Sequence, residues 1–236
     1  MKNMVSVVIP AYNERENIKK LLCKISAVLK GKFPYEIIVV DDNSPDGTAE
    51  AVREVARKTN TKLISRKSKT GIGSAYKKGI ESSSGSIVIT MDADLSHNPE
   101  MIPQMVEELS RGNDIVLGSR YIEGGEIERW SIYRKFMSRS ANKVAKLVLG
   151  LHANDLTTGF RAYRRDALDK LRFAEFTSNG YSILMEIVFK AERAHLNIKE
   201  VPITFHDRRG GSSKLGLWEQ LKYLLTVLRL RAGWYK

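Results

Sequence analysis

Cysteine is almost absent from this chain. Among 236 residues there is one, Cys23, so no internal disulfide forms and no cysteine-rich zinc site can be built. That usage fits a reducing compartment. Histidine is nearly as scarce. His97, His152, His195 and His206 show no i, i+4 pair and no metal-ligand spacing, so each reads as a surface or packed residue. No uncharged apolar run approaches the ~18–20 residues of a membrane span. The chain opens MKNMVSVVIP and runs into an apolar strand pattern without a targeting peptide ahead of it. Two phosphate-binding fingerprints are missing as well. No G-x-G-x-x-G follows the first strand pattern, Gly71-Ile72-Gly73 lacks the third glycine, and no G-x-x-x-x-G-K-[ST] occurs. Nor can a Ser-His-Asp or Cys-His arrangement be assembled. These absences exclude a disulfide scaffold, a dinucleotide fingerprint enzyme and a Walker-type nucleotidase.

What remains is a globular composition, with 42% hydrophobic and 28% charged residues. The length fits one α/β domain and suffices for a core without staples. The net charge of +12 is unevenly spread. Up to Gly118 there are 17 Lys/Arg against 15 Asp/Glu, and from Ser119 onward 22 against 12. A basic second half points to an anionic partner: phosphate, an acidic membrane or nucleic acid.

Residues 5–10 (VSVVIP), 36–42 (EIIVVDD), 62–65, 86–92 (SIVITMD) and 114–119 (DIVLGS) are short β-branched runs, as suits strands buried on both faces of a parallel sheet. Helical patterns at 16–30, 48–58, 74–82 and 99–111 alternate with them. Asp46 and Asn98 are placed to start two of these helices. The alternation predicts right-handed crossovers and an open, nucleotide-binding type of sheet, with ligands at the carboxyl ends of its strands. That rule directs attention to residues 11–14, 41–46, 92–96 and Arg120. Beyond Arg120 the alternation stops. Residues 130–150 read as a basic amphipathic helix or helix pair, 158–163 and 200–205 as strands, 183–194 as a helix and 217–230 as a second amphipathic helix. With no repeat and no linker, a single domain is expected: residues 1–120 as its nucleotide-binding half, 121–236 as an acceptor- and membrane-facing half.

The sharpest chemical signal is Asp92-Ala93-Asp94, directly after a buried run. At a strand end the chain turns, and both carboxylates can approach one hard divalent cation that is completed by substrate phosphate oxygens. Asp41, still within the apolar run Val39-Val40-Asp41-Asp42, can accept from a ribose hydroxyl or a base N–H, while Ser44-Pro45-Asp46-Gly47 has the composition of a turn. A nucleic-acid-binding protein, the other reading of a basic, aromatic-containing chain, leaves this acidic strand end unused and has no motif to support it.

Taken together, residues 7–14 (VVIPAYNE), 39–42, Asp92-Ala93-Asp94 and Gly118-Ser119-Arg120-Tyr121 resemble the inverting family 2 glycosyltransferases of the GT-A fold. Residues 94–97 (DLSH), 158–161 (TGFR), Gly180-Tyr181, Met185-Glu186 and 213–215 (SKL) are similar to the branch of that family that uses a polyprenyl-phosphate acceptor. The resemblance covers nearly the whole chain. It implies transfer of mannose from GDP-mannose to dolichyl phosphate with inversion; a polyprenyl-phosphate glucosyltransferase, or another transferase using a UDP-sugar, is the alternative. It implies that Pro10, Tyr12, Glu14, Val39, Asp41 and Asp92 hold the donor and that Asp92, Asp94 and Ser96 form a site for Mg²⁺ or Mn²⁺. Some members carry Gln where this chain has Ser96. Arg120, Arg134, Ser138, Arg208 and Lys214 match positions that grip the acceptor phosphate or the sugar, with Arg209 a neighbour of the fourth. Asp94 and Arg120 are implied to be catalytic. Some relatives add C-terminal transmembrane helices. This chain resembles instead the catalytic subunit that sits peripherally on the cytoplasmic face of a membrane, with a small membrane-anchoring partner.

Overall fold

The computed structural model describes residues 3–176, 178, 180–207 and 217–233. The five β-branched runs fold as β1 (Val5–Ala11), β2 (Tyr35–Asp41), β3 (Thr61–Ser65), β4 (Ile87–Thr90) and β5 (Ile115–Ser119). Between them lie α1 (Arg15–Leu29), α2 (Thr48–Thr59), α3 (Ile72–Glu81) and α4 (Ile102–Ser110). A single 3₁₀ turn, Pro99–Met101, leads into α4, and Asn98 starts it by accepting the Glu100 N–H. The second half adds β6 (Glu126–Glu128), α5 (Ile132–Leu149), β7 (Arg161–Arg164), α6 (Arg165–Lys170), α7 (Ser182–Arg193), β8 (Ile198–Pro202), β9 (Thr204–His206) and α8 (Leu217–Arg231).

The main sheet has seven strands in the order β3-β2-β1-β4-β7-β5-β8. All its pairings are parallel except those of β7, which runs antiparallel to both β4 and β5. Alternate residues of β1 and β4 face opposite cores. Val7, Ile9, Ile87 and Ile89 pack with Ile18, Leu22 and Ile25 of α1 and with Met105 and Leu109 of α4. Val8 and Val88 pack on the other face with Tyr76 and Ile80 of α3 and with Leu184 and Val188 of α7. Burial on both faces is why these strands read as continuous apolar runs. Contact is close where α3 crosses β1, since a Cβ on Gly79 would lie 2.2 Å from a Val8 methyl.

The second half departs from the expectation in two places. Only Arg161–Arg164 of the expected strand at 158–163 is extended in the sheet. The residues before it form a turn because the Asp155 carboxylate accepts the Thr157 and Thr158 N–H groups and the Thr158 hydroxyl accepts that of Phe160. The expected strand at 200–205 is two strands in two sheets, with β8 completing the main sheet and β9 pairing in parallel with β6. Of the helix or helix pair expected at 130–150, the structure has one helix, α5, started by the Ser131 hydroxyl on the Arg134 N–H and ended at Gly150, whose φ is +68°. Of α8, the side chains are described from Lys222 on; Val227 and Leu230 pack into the core, while Leu224, Leu225 and Leu228 are exposed.

Candidate active site

A cleft opens at the carboxyl ends of β1, β2 and β4. Pro10, Tyr12 and Glu14 form one wall, Asp42, Lys69, Gly71 and Ile72 another, and Asp92, Ala93 and Asp94 the floor, with Gly180 and Tyr181 at the rim. Two loops are tied together to make the first wall. After β1, the N–H groups of Asn13, Glu14 and Arg15 donate to the Ser44 hydroxyl, the Thr48 hydroxyl and the Asp46 carboxylate of the loop after β2. Asp46 also accepts from the Thr48 N–H and hydroxyl, which fixes the start of α2. Burial pushes the Asp46 carboxyl up, but these donors outweigh it and hold the group below its ordinary value.

At the floor, the two acids are oriented by different partners. Tyr76 on α3 donates to Asp92 Oδ1 at 3.2 Å, and the Asp92 N–H donates to His97 Nδ1 at 3.3 Å. His97 is fully enclosed, stacked on Phe160 with Phe205 edge-on. Burial pushes its pKa down, with Arg120 acting the same way against the nearby acids, so the ring is held neutral. Asp94 Oδ1 accepts the Ser96 N–H at 3.1 Å and the Ser96 hydroxyl at 2.5 Å. Leu95 stands between them with φ +62°, a conformation costing about 1–2 kcal/mol for such a residue, and the tight turn it makes lets Ser96 reach back. Ser96 is buried behind Asp94 with its hydroxyl proton committed to it, so it serves the acid rather than facing the cleft as the sequence reading had it.

Val39 and Asp41 are also placed differently from expectation. Val39 is enclosed in the core, and Asp41 is buried with its carboxylate on the Ser44 N–H and hydroxyl. The neighbouring Asp42 lines the cleft instead. It pairs with Arg66, whose guanidinium also donates to Thr70, Ser74 and the Gly71 carbonyl. That network closes the loop carrying Lys69, whose ammonium lies 4.2 Å from the centre of the Tyr12 ring.

The basic residues gather beside the cleft around an aromatic cluster of Trp130, Phe205 and Tyr121. Arg120 is 6% exposed and forms a two-pronged pair with Asp155, both bonds 2.7 Å, with a third donation to the Thr157 hydroxyl. Burial pushes the Asp155 carboxyl up, but Arg120 overrides it and holds the group below its ordinary value. Arg120 stays charged, but its pair with Asp155 carries little net charge and presents directed N–H donors, a pairing across 35 residues that no local pattern signals. Arg134 lies 3.9 Å over the Trp130 ring and pairs with Asp207, and Ser138 bonds the Tyr121 hydroxyl at 2.6 Å. Arg208, Arg209 and Lys214 lie outside the described residues. Sequence reasoning missed Tyr76, Asp155, Asp42 and Lys69; only Asp42, adjoining Asp41, carried a usable signal. No group of three or more His, Cys, Asp or Glu able to hold a metal occurs among the described residues.

The fold and this site define a nucleotide-binding type of α/β domain with an acidic pair at the ligand edge of its sheet. Residues 6–172 match glycosyl transferase family 2, and the chain belongs to that family. A dolichol-phosphate mannosyltransferase of Pyrococcus furiosus is 41% identical over 228 residues, which span 96% of this chain and 63% of that protein. The chain thus covers less than two thirds of that relative's length. A polyprenol monophosphomannose synthase of Mycolicibacterium smegmatis is 36% identical over 214 residues, spanning 89% of this chain and 80% of that one. Among solved structures, glucosyl-3-phosphoglycerate synthase of M. tuberculosis superposes with a TM-score of 0.71 at 23% identity, over 98% of this chain and 81% of that one. The same enzyme with Mg²⁺ and UDP gives a TM-score of 0.73 at 22% identity, over 98% and 80%. At such identities the likeness is one of fold.

Proposed function

We propose that this chain transfers mannose from GDP-mannose to the phosphate of dolichyl or another polyprenyl phosphate, with inversion at the sugar. The observation that carries the reading is the pair Asp92 and Asp94 at the end of β4, open to one cleft with Pro10, Tyr12 and Glu14. The two named relatives supply the sugar and the acceptor class. A pair of carboxylates fits Mg²⁺ or Mn²⁺, which commonly take one or two acids and complete their shell with water and substrate phosphate. Asp92 and Asp94 would hold the ion, Ser96 orienting the second. When bound, the ion offsets charge on the departing diphosphate.

The acceptor phosphate is already anionic at neutral pH, so no protein base has to take a proton from it. The obstacle is repulsion, about 4 kcal/mol for two unit charges ~4 Å apart at an effective dielectric near 20. Arg134, Arg208 and Lys214 would offset the acceptor charge, whereas Arg120, balanced by Asp155, would supply fixed hydrogen-bond direction with Ser138 beside it. Tyr12, Glu14 and the end of β2, where Val39 and Asp41 support Asp42 at the cleft, would hold the nucleoside.

For the lipid, α5 offers an apolar surface among basic residues: Ile132 is 87%, Tyr133 73%, Phe136 65% and Leu147 72% exposed. Such a helix fits the interface of an anionic membrane, which supports a peripheral location on its cytoplasmic face, with or without a small anchoring partner. Among the described residues no helix is long and apolar enough to cross a membrane.

The test is transfer from labelled GDP-mannose, with UDP-glucose in parallel, to dolichyl phosphate in detergent, with Mg²⁺ and with EDTA. Metal-dependent mannolipid is expected. Product from UDP-glucose alone replaces the donor, and no product from either rejects the reading.

A further inference from the structure

The turn before β7 presses against the acidic floor more closely than folding alone requires. A Cβ on Gly159 would lie 2.8 Å from the Tyr76 hydroxyl and 2.9 Å from Asp92 Oδ1. Those two atoms are themselves hydrogen-bonded at 3.2 Å. Any other residue at 159 would enter the space where the phenol meets the carboxylate. The turn is held there from several sides. The Thr90 hydroxyl donates to the Gly159 carbonyl at 2.8 Å. Arg161, with no exposed surface, donates to the carbonyls of Leu156 at 3.0 Å, Thr158 at 2.7 Å and Leu184 at 2.7 Å, so one guanidinium ties the turn to the first turn of α7. A buried arginine that donates to three main-chain carbonyls fixes backbone position. Tyr76 is equally enclosed, 1% exposed, in the core beneath the floor.

We propose that Tyr76 and Gly159 are positioning residues for Asp92: the phenol fixes the rotamer of the carboxylate, and the bare backbone at 159 leaves room for it to do so. This rests on the reading of Asp92 as a metal ligand. Partners that orient a metal-binding side chain typically change metal affinity 10–100-fold when removed. The 158–161 motif, which the transfer chemistry itself leaves without a task, thereby acquires one: Thr158 and Arg161 hold the turn, and Gly159 faces the acid.

The test is Mn²⁺ binding to the full chain, followed by the electron paramagnetic resonance of the free ion, with and without GDP. Tyr76→Phe removes one oxygen from a packed ring. It should weaken Mn²⁺ at least about tenfold while the melting temperature stays near that of the parent. Gly159→Ala should weaken it further. A purely structural role predicts the reverse: a lowered melting temperature with Mn²⁺ affinity intact, which would overturn the proposal. Asp92→Asn separates the two levels. Mn²⁺ binding lost in that variant but unchanged in Tyr76→Phe rejects the positioning role alone, whereas a parent chain that binds no Mn²⁺ with or without GDP rejects the metal reading and the positioning role together.

Discussion

At the ends of β1, β2 and β4, Asp41, Asp46, Asp92 and Asp94 are oriented by hydroxyl and backbone N–H donors while Asp42 pairs with Arg66, whereas beyond β5 Arg120 and Arg134 are held by acids and rings. Asp41, Asp46, Asp92 and Asp94 take their hydrogen bonds from hydroxyls and backbone N–H groups. Such partners orient a carboxylate without themselves cancelling its charge. Arg120 and Arg134 have Asp155 and Asp207 as partners and lie over Trp130. There the protein has largely balanced its own charge, and what it presents is geometry. The comparison teaches that a basic composition and a positive site are different things. The excess positive charge of the second half is spread over exposed faces such as that of α5, not concentrated at the buried Arg120.

The comparison can be broken most severely at Asp155. Asp155→Ala leaves a buried guanidinium without its counter-charge and should cost about 3–5 kcal/mol of stability, read from chemical denaturation. The same carboxyl, held low in the fold, contributes stability at neutral pH that is lost as pH falls below its ordinary 3.8. On the other side, Asp94→Ala removes an acid whose charge is kept for a ligand. The fold should survive by circular dichroism while transfer falls by at least about 10²–10³-fold, and near-normal turnover would defeat the metal assignment. Next in size is the exposed apolar face of α5, proposed above to meet a membrane. Phe136→Asp should weaken flotation with anionic vesicles by about 1.5–3 kcal/mol and leave the melting curve in place. The smallest effect concerns His97, buried neutral between the two regions. Below pH 6.5 the unfolded chain takes up a proton that the folded chain refuses, so stability should fall toward pH 5 with a slope of up to about 1.4 kcal/mol per pH unit. In His97→Gln that part of the slope should vanish.

Much of the first half was legible because its signals are local. Val7, Val8 and Ile9, or Ile87 to Thr90, announce a strand buried on both faces, and Asp92 and Asp94 follow it at the edge where such sheets bind ligands. Asn98 before Pro99 announced its helix start for the same reason. The second half was harder. Thr158 to Tyr163 has strand composition throughout, yet the carboxylate of Asp155 captures the N–H groups of its first residues and makes a turn of them. Asp41 looked like the residue that meets a ligand because it ends a strand, but Ser44 claims its carboxylate and Asp42 takes the position on the cleft.

The sequence by itself determined the layered α/β class, the strand ends to which attention was directed and the acidic pair, since hydrophobic period and strand-end chemistry are written in neighbouring residues. Only the tertiary structure decided the state of each group. That Arg120 is counterbalanced by Asp155, that Asp92 is bonded by a tyrosine 16 residues away, and that β7 enters the sheet antiparallel all depend on contacts between distant segments. Nothing in the local pattern encodes such contacts. Burial sets their strength, because an ion pair or hydrogen bond withdrawn from water governs charge and orientation in a way that the same residues, solvated in an unfolded chain, cannot.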